Sequence, residues 1–277
     1  MATKRSVRLG TVQETLLLPL YGRARQTRSR RWGVIHDPKA VEMVETLDYD
    51  FERFRDGGSA VGATARTVMC DAWVRAFLRR NPTGTIVEIG AGLNTRFERI
   101  DNGTAHWVDI DLPDSMALRR EFFSEGPRRR MVEGSVLDDA WFDTVRAFPG
   151  PYLFVIEGVL MYLDRVEVER ALRRMAEAFP GARFIFDLCG SRMLEFQDRR
   201  GPLRHVDARL AWACEAPGEF ERCGLRLLDS RSMRDLPRMV RIPLPLHITM
   251  TVAGPLLARG PSLHTFNLYE APEPSGA

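Results

Sequence analysis

Two glycines and an acidic residue lie close together in the stretch GTIVEIGAGLNTRFERI, residues 84–100. Gly90 and Gly92 follow an apolar run typical of a strand and precede a helical pattern, the usual setting of a nucleotide-binding turn. A dinucleotide fingerprint would place a third glycine at position 95, where this chain has Thr95. The turn therefore disfavours NAD, because a pyrophosphate needs the close helix approach that a third glycine permits.

Acidic residues on both sides of the turn favour a different cofactor. Glu88 precedes the glycines at the strand end, where a carboxylate would repel phosphate but attract an amino group and a sulfonium. Asp109 and Asp111 end the next strand in WVDIDLP, where a carboxylate can accept hydrogen bonds from ribose hydroxyls. The pattern predicts S-adenosyl-L-methionine as the cofactor, against the alternative of a turn that binds no ligand.

The elements that must position these residues can be read from alternating patterns. Five short apolar runs, GTIVEIG, TAHWVDID, RRMVEGSV, PYLFVIEGV and ARFIFDLC, alternate with helical segments, which predicts βαβ units and a parallel sheet covered on both faces. In DRVEVERALRRMAEAFPGA, Asp164 and Glu167 resemble a capping box and the apolar residues recur at helical spacing. GLRLLDSRS predicts a sixth strand, and a last strand is expected near SLHTFNLYEA, after a broken helix.

The remaining segments predict helical additions to this sheet. VGATARTVMCDAWVRAFLRRNP is amphipathic, with Val61, Ala65, Val68, Ala72 and Ala76 on one stripe and an Asn-Pro stop. We expect residues 1–60 to form a helical cap. Residues 61–277 should form the cofactor-binding domain, with a helical insertion at about 190–224.

Composition excludes several classes of protein. The chain has 277 residues, a net charge of +3 and 28% charged residues, as is ordinary for a globular protein. Its first 31 residues hold eight Lys or Arg against Glu14 alone, but an interleaved Leu run indicates an amphipathic helix rather than a nucleic-acid arm. The four cysteines are too far apart to predict a metal site or a disulfide framework. Without a signal-peptide pattern or a long apolar run, we expect no membrane partner and a cytoplasmic location.

Four segments in order resemble the leucine carboxyl methyltransferase family, and especially its bacterial branch of tetracenomycin-type polyketide O-methyltransferases. They are ATARTVMCDAWVRAFL, VEIGAGLNTRFERI, HWVDIDLPD and IEGVLMYLDRVEVERAL. TLLLPLYGRA near the start also resembles that branch. The similarity spans about residues 10 to 190. It implies an α/β Rossmann-like class I methyltransferase with a seven-stranded, mostly parallel sheet, helices on both faces and helical additions over the mouth of the site.

The resemblance also implies roles for particular residues. Arg66 matches the family's ligand of the cofactor carboxylate, and Asp111 matches its ribose ligand. Gly90 and Gly92 would lie along the methionine part. Ser135, Val136 and Leu137 match the family's adenine contacts. Glu157 and Tyr162 match the residues that line its methyl-transfer site. Many relatives have Asp where this chain has Val136, so backbone and apolar contacts to adenine are expected there.

The chemistry of methyl transfer indicates which kind of acceptor group the sequence can serve. A carboxylate is already ionised at neutral pH and needs no general base, and the five histidines form no evident constellation with carboxylates in the sequence. A hydroxyl acceptor would need a base. We expect the basic N-terminal helix, with Tyr21, Arg23 and Arg25, to bind the acceptor carboxylate, helped by Arg192 or Arg204; no catalytic acid or base is assigned.

Three functions are compatible with the sequence. The first is an O-methyltransferase acting on a carboxylate, or a hydroxyl, of a small natural product such as a polyketide. The second is methylation of a peptide or protein C-terminus, and the third is a non-catalytic protein that binds S-adenosylmethionine. The oligomeric state is not predicted.

Overall fold

The computed structural model describes most of the chain. The described residues are 4–7, 9–29, 33–55, 58–196, 208–236 and 264–273. The broken helix expected before the last strand and residues 197–207 of the expected insertion, Arg204 among them, lie outside these ranges. Within residues 190–224 the structure has a short helix, Ser191–Phe196, and a 3-10 helix, Pro217–Cys223. The stretch 208–216 between them is neither helix nor strand, so the helical structure in the described part of the expected insertion is confined to these two short elements.

A seven-stranded sheet forms the centre of the molecule. A short parallel pair, β1 (Arg5–Ser6) and β2 (Leu47–Asp48), lies apart from it. The strands of the large sheet are β3 (Thr85–Ile89), β4 (His106–Asp111), β5 (Arg129–Glu133), β6 (Tyr152–Ile156), β7 (Arg183–Cys189), β8 (Arg226–Ser232) and β9 (His264–Glu270). Their order is β5-β4-β3-β6-β7-β9-β8, and β9 is antiparallel to both of its neighbours while the first five are parallel. The predicted fold class is confirmed.

The helices cover both faces of this sheet. They are α1 (Leu17–Arg28), α2 (Pro38–Thr46), α3 (Gly58–Arg80), α4 (Arg96–Ile100), α5 (Pro113–Arg120), α6 (Phe142–Arg146), α7 (Arg165–Ala178) and α8 (Ser191–Phe196). Alternate residues of each central strand belong to different apolar clusters: Val87 faces the side of α6 and α7, and Ile86 faces the side of α3. This double burial explains why the strands read as continuous apolar runs.

Two helices test the sequence patterns. In α7, the Asp164 side chain accepts hydrogen bonds from the backbone N–H groups of Val166 and Glu167, and the predicted apolar positions are buried. In α3, Ala65 and Val68 are buried as predicted, but Ala72 and Ala76 are only half-buried. The helix turns larger side chains, including Phe77, toward the sheet instead. None of the described helices is long and apolar enough to cross a membrane.

The N-terminal helices lie beside the carboxyl ends of the parallel strands. α1 packs on both α2 and α3, and its apolar residues share a cluster with Leu93 of the glycine turn and Met161 of the segment after β6. The chain before α1 forms a 3-10 helix, Gln13–Leu16. These elements stand where active-site loops of doubly wound sheets are found.

The ring of Phe154 on β6 tests the energetics of the central core. It is fully buried and stacks on Phe184 with 4.9 Å between ring centroids. We expect Phe154→Ala to lower the free energy of unfolding by about 3–5 kcal/mol, because the cavity cannot collapse between packed strands. Val166→Ala, at a position that is 63% exposed, is the control and should change it by less than about 0.5 kcal/mol. Equal denaturant midpoints for the two variants would contradict this packing.

Candidate active site

One large cavity opens at the carboxyl ends of the parallel strands. Its volume is about 570 Å³, within the range of small-molecule sites. Two groups of residues account for much of its lining. The sheet side contributes Glu88, Gly90, Gly92, Asp111, Ser135, Val136, Glu157 and Tyr162, and the N-terminal segment contributes Thr15, Leu16, Leu18, Pro19 and Arg23. The cavity therefore joins the glycine turn to the helical cap.

Both glycines of the turn are required by its geometry. Gly90 has φ +68°, and a Cβ atom there would stand 2.2 Å from Cγ2 of Val159. Gly92 has φ +47°, and its Cβ would meet Leu16 at 3.2 Å. These are left-handed conformations that favour glycine. The turn thus brings bare backbone to the cavity surface, where a ligand can approach it closely.

Thr95, at the place of the missing third glycine, connects the turn to the cap. Its hydroxyl donates to Oδ2 of Asp37 at 2.5 Å, and Asp37 is the N-cap of α2. A glycine at position 95 could not make this bond. Threonine in place of glycine at position 95 therefore disfavours a pyrophosphate and also bonds the turn to the cap.

Asp111 is fixed at the edge of the cavity. Its carboxylate accepts hydrogen bonds from the backbone N–H groups of Gly92 at 2.5 Å and Leu112 at 2.7 Å. Burial raises the pKa of this carboxyl above its usual range, although both backbone bonds act in the opposite direction. With these two bonds made, lone pairs remain that can accept from ribose hydroxyls, so the position fits a nucleoside.

Asp109 has a different role from the one expected. Its buried Oδ2 accepts from Arg119 Nη2 at 3.0 Å and from Arg129 Nε at 2.8 Å, and it is not among the residues that line the cavity. Asp109 is therefore not placed to bind the cofactor: its carboxylate pairs with Arg119 and Arg129 beneath the turn.

Arg96 occupies the centre of a buried ionic cluster. Its guanidinium donates to Asp71 from Nε at 2.7 Å, to Glu88 from Nη1 at 2.5 and 2.6 Å, and to Glu157 from Nη2 at 2.5 Å. Burial opposes its charge, yet the three carboxylates hold the pKa of Arg96 well above its usual value. Glu88 lines the cavity, but its carboxylate is bound by Arg96, so its charge is not wholly available to attract a sulfonium.

Arg66 reaches the cavity from α3. Its Nε donates to Glu157 at 3.1 Å and its Nη1 to Asp187 at 3.4 Å, while Nη2 makes no hydrogen bond to the described residues. Gly158, with φ +72°, leaves room for this guanidinium, because a Cβ there would lie 2.6 Å from Nη1. The free edge of the fork suits a cofactor carboxylate.

The predicted adenine segment meets the cavity in part. Ser135 and Val136 line it, while Leu137 does not. The backbone carbonyl of Ser135 accepts from the Trp141 indole at 2.9 Å, and Val136 is buried. The apolar side chain of Val136 is thus available for a planar base, whereas the backbone N–H and carbonyl of Ser135 are engaged by Asp138 and Trp141.

The three residues expected to bind the acceptor are engaged elsewhere. Tyr21 stacks on Phe51 in the cap, and Arg25 donates to the backbone carbonyl of Arg55 at 2.8 Å; neither lines the cavity. Arg23 does line it, but Nε is bound to Asp37 at 2.9 Å and Nη2 to the carbonyl of Leu93 at 2.6 Å. Its side chain is 3% exposed, so it fastens α1 to the turn.

A pair of residues that sequence reasoning missed lies at the same cavity. His264 lines the cavity, and its Nε2 is 2.6 Å from Oδ2 of Asp187. The sequence showed no evident histidine–carboxylate constellation, whereas the fold brings this histidine and this carboxylate together. The two residues are 77 positions apart, and only the pairing of β9 with β7 reveals their contact.

Tyr162 and an apolar wall complete the cavity. Burial raises the pKa of Tyr162 above its usual value, and Arg66 opposes that shift. The apolar wall comes from five segments of the chain, and most of it was not predicted. Its members are Phe54, Met161, Leu163, Met193, Leu210 and Met233. The only sequence signal for them was the expectation of helical additions over the mouth of the site.

Comparisons with known proteins agree with this architecture. The leucine carboxyl methyltransferase family model matches residues 17–176. The chain is 34% identical over 236 residues to the tetracenomycin polyketide synthesis O-methyltransferase TcmP of Streptomyces glaucescens, covering 84% of this chain and 87% of that protein. It is 31% identical over 242 residues to the S-adenosyl-L-methionine-dependent methyltransferase dpfgK of Gibberella zeae, covering 79% and 80%. A crystal structure from Thermobifida fusca YX shares the fold, with a TM-score of 0.55, 17% identity and 77% and 82% coverage.

Removal of Arg96 tests the ionic cluster. Arg96→Met should lower the free energy of unfolding by about 3–5 kcal/mol, because it leaves buried carboxylates without their partner. Arg75→Met is the matched control, since Arg75 approaches the same Asp71 at 3.9 Å but is 48% exposed; its effect should stay below about 1 kcal/mol. Thermal and denaturant unfolding would measure both, and similar losses in the two variants would refute a central role for Arg96.

Proposed function

We infer that this chain, which belongs to the leucine carboxyl methyltransferase family and is an S-adenosylmethionine-dependent O-methyltransferase, methylates a carboxylate of a small natural product such as a polyketide. The observation that carries the proposal is the single cavity in which the glycine turn, Asp111 and Arg66 meet an apolar wall. One side of this cavity fits a nucleoside and an amino-acid group. The other side fits an apolar body.

The cofactor would be held by residues from four elements. Arg66 on α3 would bind its carboxylate, Gly90 and Gly92 would lie along its methionine part, and Asp111 would accept from its ribose. Support for this placement comes from the free edge of Arg66, the bare backbone of the turn and the fixed carboxylate of Asp111. Ser135 and Val136 would contact the adenine, and Glu157 would keep Arg66 in place.

The chemistry asked of the protein is alignment and exclusion of water. S-adenosylmethionine supplies the methyl group, on a sulfonium that is already activated. The chain must hold an acceptor oxygen in line with that group. Correct alignment lowers the activation free energy of methyl transfer by several kcal/mol. We propose that residues 1–60 act as the cap for this purpose, since Thr15, Leu16 and Leu18 line the cavity opposite the sheet. A carboxylate oxygen needs no base, so no residue has to remove a proton.

Asp111 provides the test of cofactor placement. We expect Asp111→Asn to lower the affinity for S-adenosylhomocysteine by about 10- to 100-fold, as measured by calorimetry, because a charged hydrogen bond contributes about that much to binding. Asp143→Asn, whose side chain is 93% exposed on α6, is the matched control and should bind as the unaltered protein does. Equal affinities in both variants would remove Asp111 from the site.

The acceptor class is tested by product formation. With S-adenosylmethionine and a mixture of aromatic carboxylic acids, we expect S-adenosylhomocysteine and a methyl ester in equal amounts, identified by mass spectrometry. Heat-treated protein is the control for uncatalysed esterification. Formation of methyl ethers from the corresponding phenols, with no ester from the acids, would show that the acceptor is a hydroxyl.

A further inference from the structure

We propose that Gly158 and Asp187 are positioning residues for the cofactor. Together they form a support that holds the guanidinium of Arg66 where it meets the carboxylate of S-adenosylmethionine. The inference rests on the proposed function, since it assumes that Arg66 binds that carboxylate. The sequence patterns assign no role to Gly158 or to Asp187.

The side chain of Arg66 has to be held at the cavity. A long arginine side chain loses conformational freedom when its guanidinium is fixed, and this cost weakens binding unless the protein fixes the group beforehand. Nε of Arg66 donates to Glu157 at 3.1 Å, which fixes one end of the group. A second contact is needed to set the direction of the edge that faces a ligand.

The guanidinium of Arg66 lies with its face against Gly158. A Cβ atom at position 158 would stand 2.6, 2.7 and 2.8 Å from Nη1, Nη2 and Cζ of Arg66. A point at such nearly equal distances from these three atoms must lie out of their plane. The planar group therefore packs on the bare Cα of Gly158, and any side chain there would occupy its place.

Asp187 binds both members of this contact. Its Oδ1 accepts from the backbone N–H of Gly158 at 2.7 Å, and its Oδ2 accepts from Nη1 of Arg66 at 3.4 Å. Burial works against the charge of Asp187, but Arg66 and the hydrogen bonds from His264 and Gly158 hold the pKa of this carboxyl below its usual value. Asp187 does not itself line the cavity, so it acts on a ligand through Arg66.

The support decides which edge of Arg66 meets a ligand. Glu157 takes Nε and Asp187 takes Nη1, and both Gly158 and Arg66 line the cavity. A guanidinium binds a carboxylate best when its N–H groups point at the oxygens, so a displacement of about 1 Å weakens the bond. A Cβ at position 158 demands a displacement of that size, because ordinary contacts are about 3.5 Å or longer.

Two ligands that differ by one group test the support. S-adenosylhomocysteine carries the carboxylate, and its decarboxylated form, S-adenosyl-3-thiopropylamine, lacks only that group. For Gly158→Ala we expect the affinity for S-adenosylhomocysteine, measured by calorimetry, to fall by about 10- to 100-fold because Arg66 is displaced. The affinity for the decarboxylated form should stay within about twofold, since it makes no bond to Arg66.

Gly103→Ala is the matched control. Gly103 has φ +84°, so the substitution causes backbone strain like that at Gly158, but its Cβ position is open space among the described residues. This variant should bind both ligands as the unaltered protein does. Equal losses for the two ligands in Gly158→Ala would show a general disturbance of the cavity and would overturn the inference.

The effect of Gly158→Ala must also depend on Arg66. Arg66→Met should bind S-adenosylhomocysteine about 10- to 100-fold more weakly, and adding Gly158→Ala to it should cause no further loss. A methyl group that blocked the ligand directly would lower the affinity again, which would overturn the inference.

Asp187→Asn tests the other half of the support. An amide has one acceptor oxygen, so it cannot serve both Gly158 and Arg66. We expect the affinity for S-adenosylhomocysteine alone to fall by about 3- to 10-fold, because Arg66 is less well fixed. The loss of a negative charge would by itself raise the affinity for an anion. Tighter binding in Asp187→Asn would therefore overturn the role of Asp187.

The outcomes separate this inference from the proposed function. If Arg66→Met binds both ligands as the unaltered protein does, Arg66 does not bind the carboxylate, and the inference and the proposed cofactor placement are both overturned. If Arg66→Met loses S-adenosylhomocysteine alone while Gly158→Ala behaves as Gly103→Ala does, the inference is overturned and the proposed function stands.

Discussion

The Arg96 guanidinium, buried among three carboxylates, is the constraint on which the rest of the structure depends. Its partners come from three elements: Asp71 from α3, Glu88 from β3 and Glu157 from the end of β6. An arginine without compensation at such a depth would be costly. This charge is therefore compensated only when α3, β3 and β6 are packed together. The same carboxylate of Glu157 then holds Arg66 at the cavity, so folding and ligand binding share one ionic cluster.

The cap is joined to the cofactor turn by a second, smaller set of bonds. Asp37 receives hydrogen bonds from Arg23 of α1 and from Thr95 of the turn, and Arg23 also binds the Leu93 carbonyl. Because these groups are buried, displacing α1 would expose unpaired polar atoms of the turn. These hydrogen bonds thus hold together the part of the cavity expected to bind the acceptor and the part expected to bind the cofactor.

The sequence predicted the sheet well because buried parallel strands and their connecting helices leave strong periodic signals. It could not tell Asp109 from Asp111, since residues two apart in a strand share a face and the partners that distinguish them, Arg119 and Arg129, come from other elements. Arg23 was assigned to the acceptor for a similar reason, because a basic residue on an amphipathic helix gives no sign of a buried partner. His264 was missed because the insertion of β9 between β7 and β8 is a long-range pairing. The apolar wall, assembled from distant segments, leaves no local pattern at all.

The place of β9 in the sheet also bears on the order of events during synthesis. The strand that precedes it in the chain, β8, has no partner in the sheet until β9 has been made, because β9 separates it from β7. On a ribosome, the five parallel strands, β3 to β7, can assemble around Arg96 before β9 has been synthesised. β8 and His264 join the sheet only when β9 is available to pair with β7. The cofactor side of the cavity can therefore form earlier in synthesis than the side that β9 contributes.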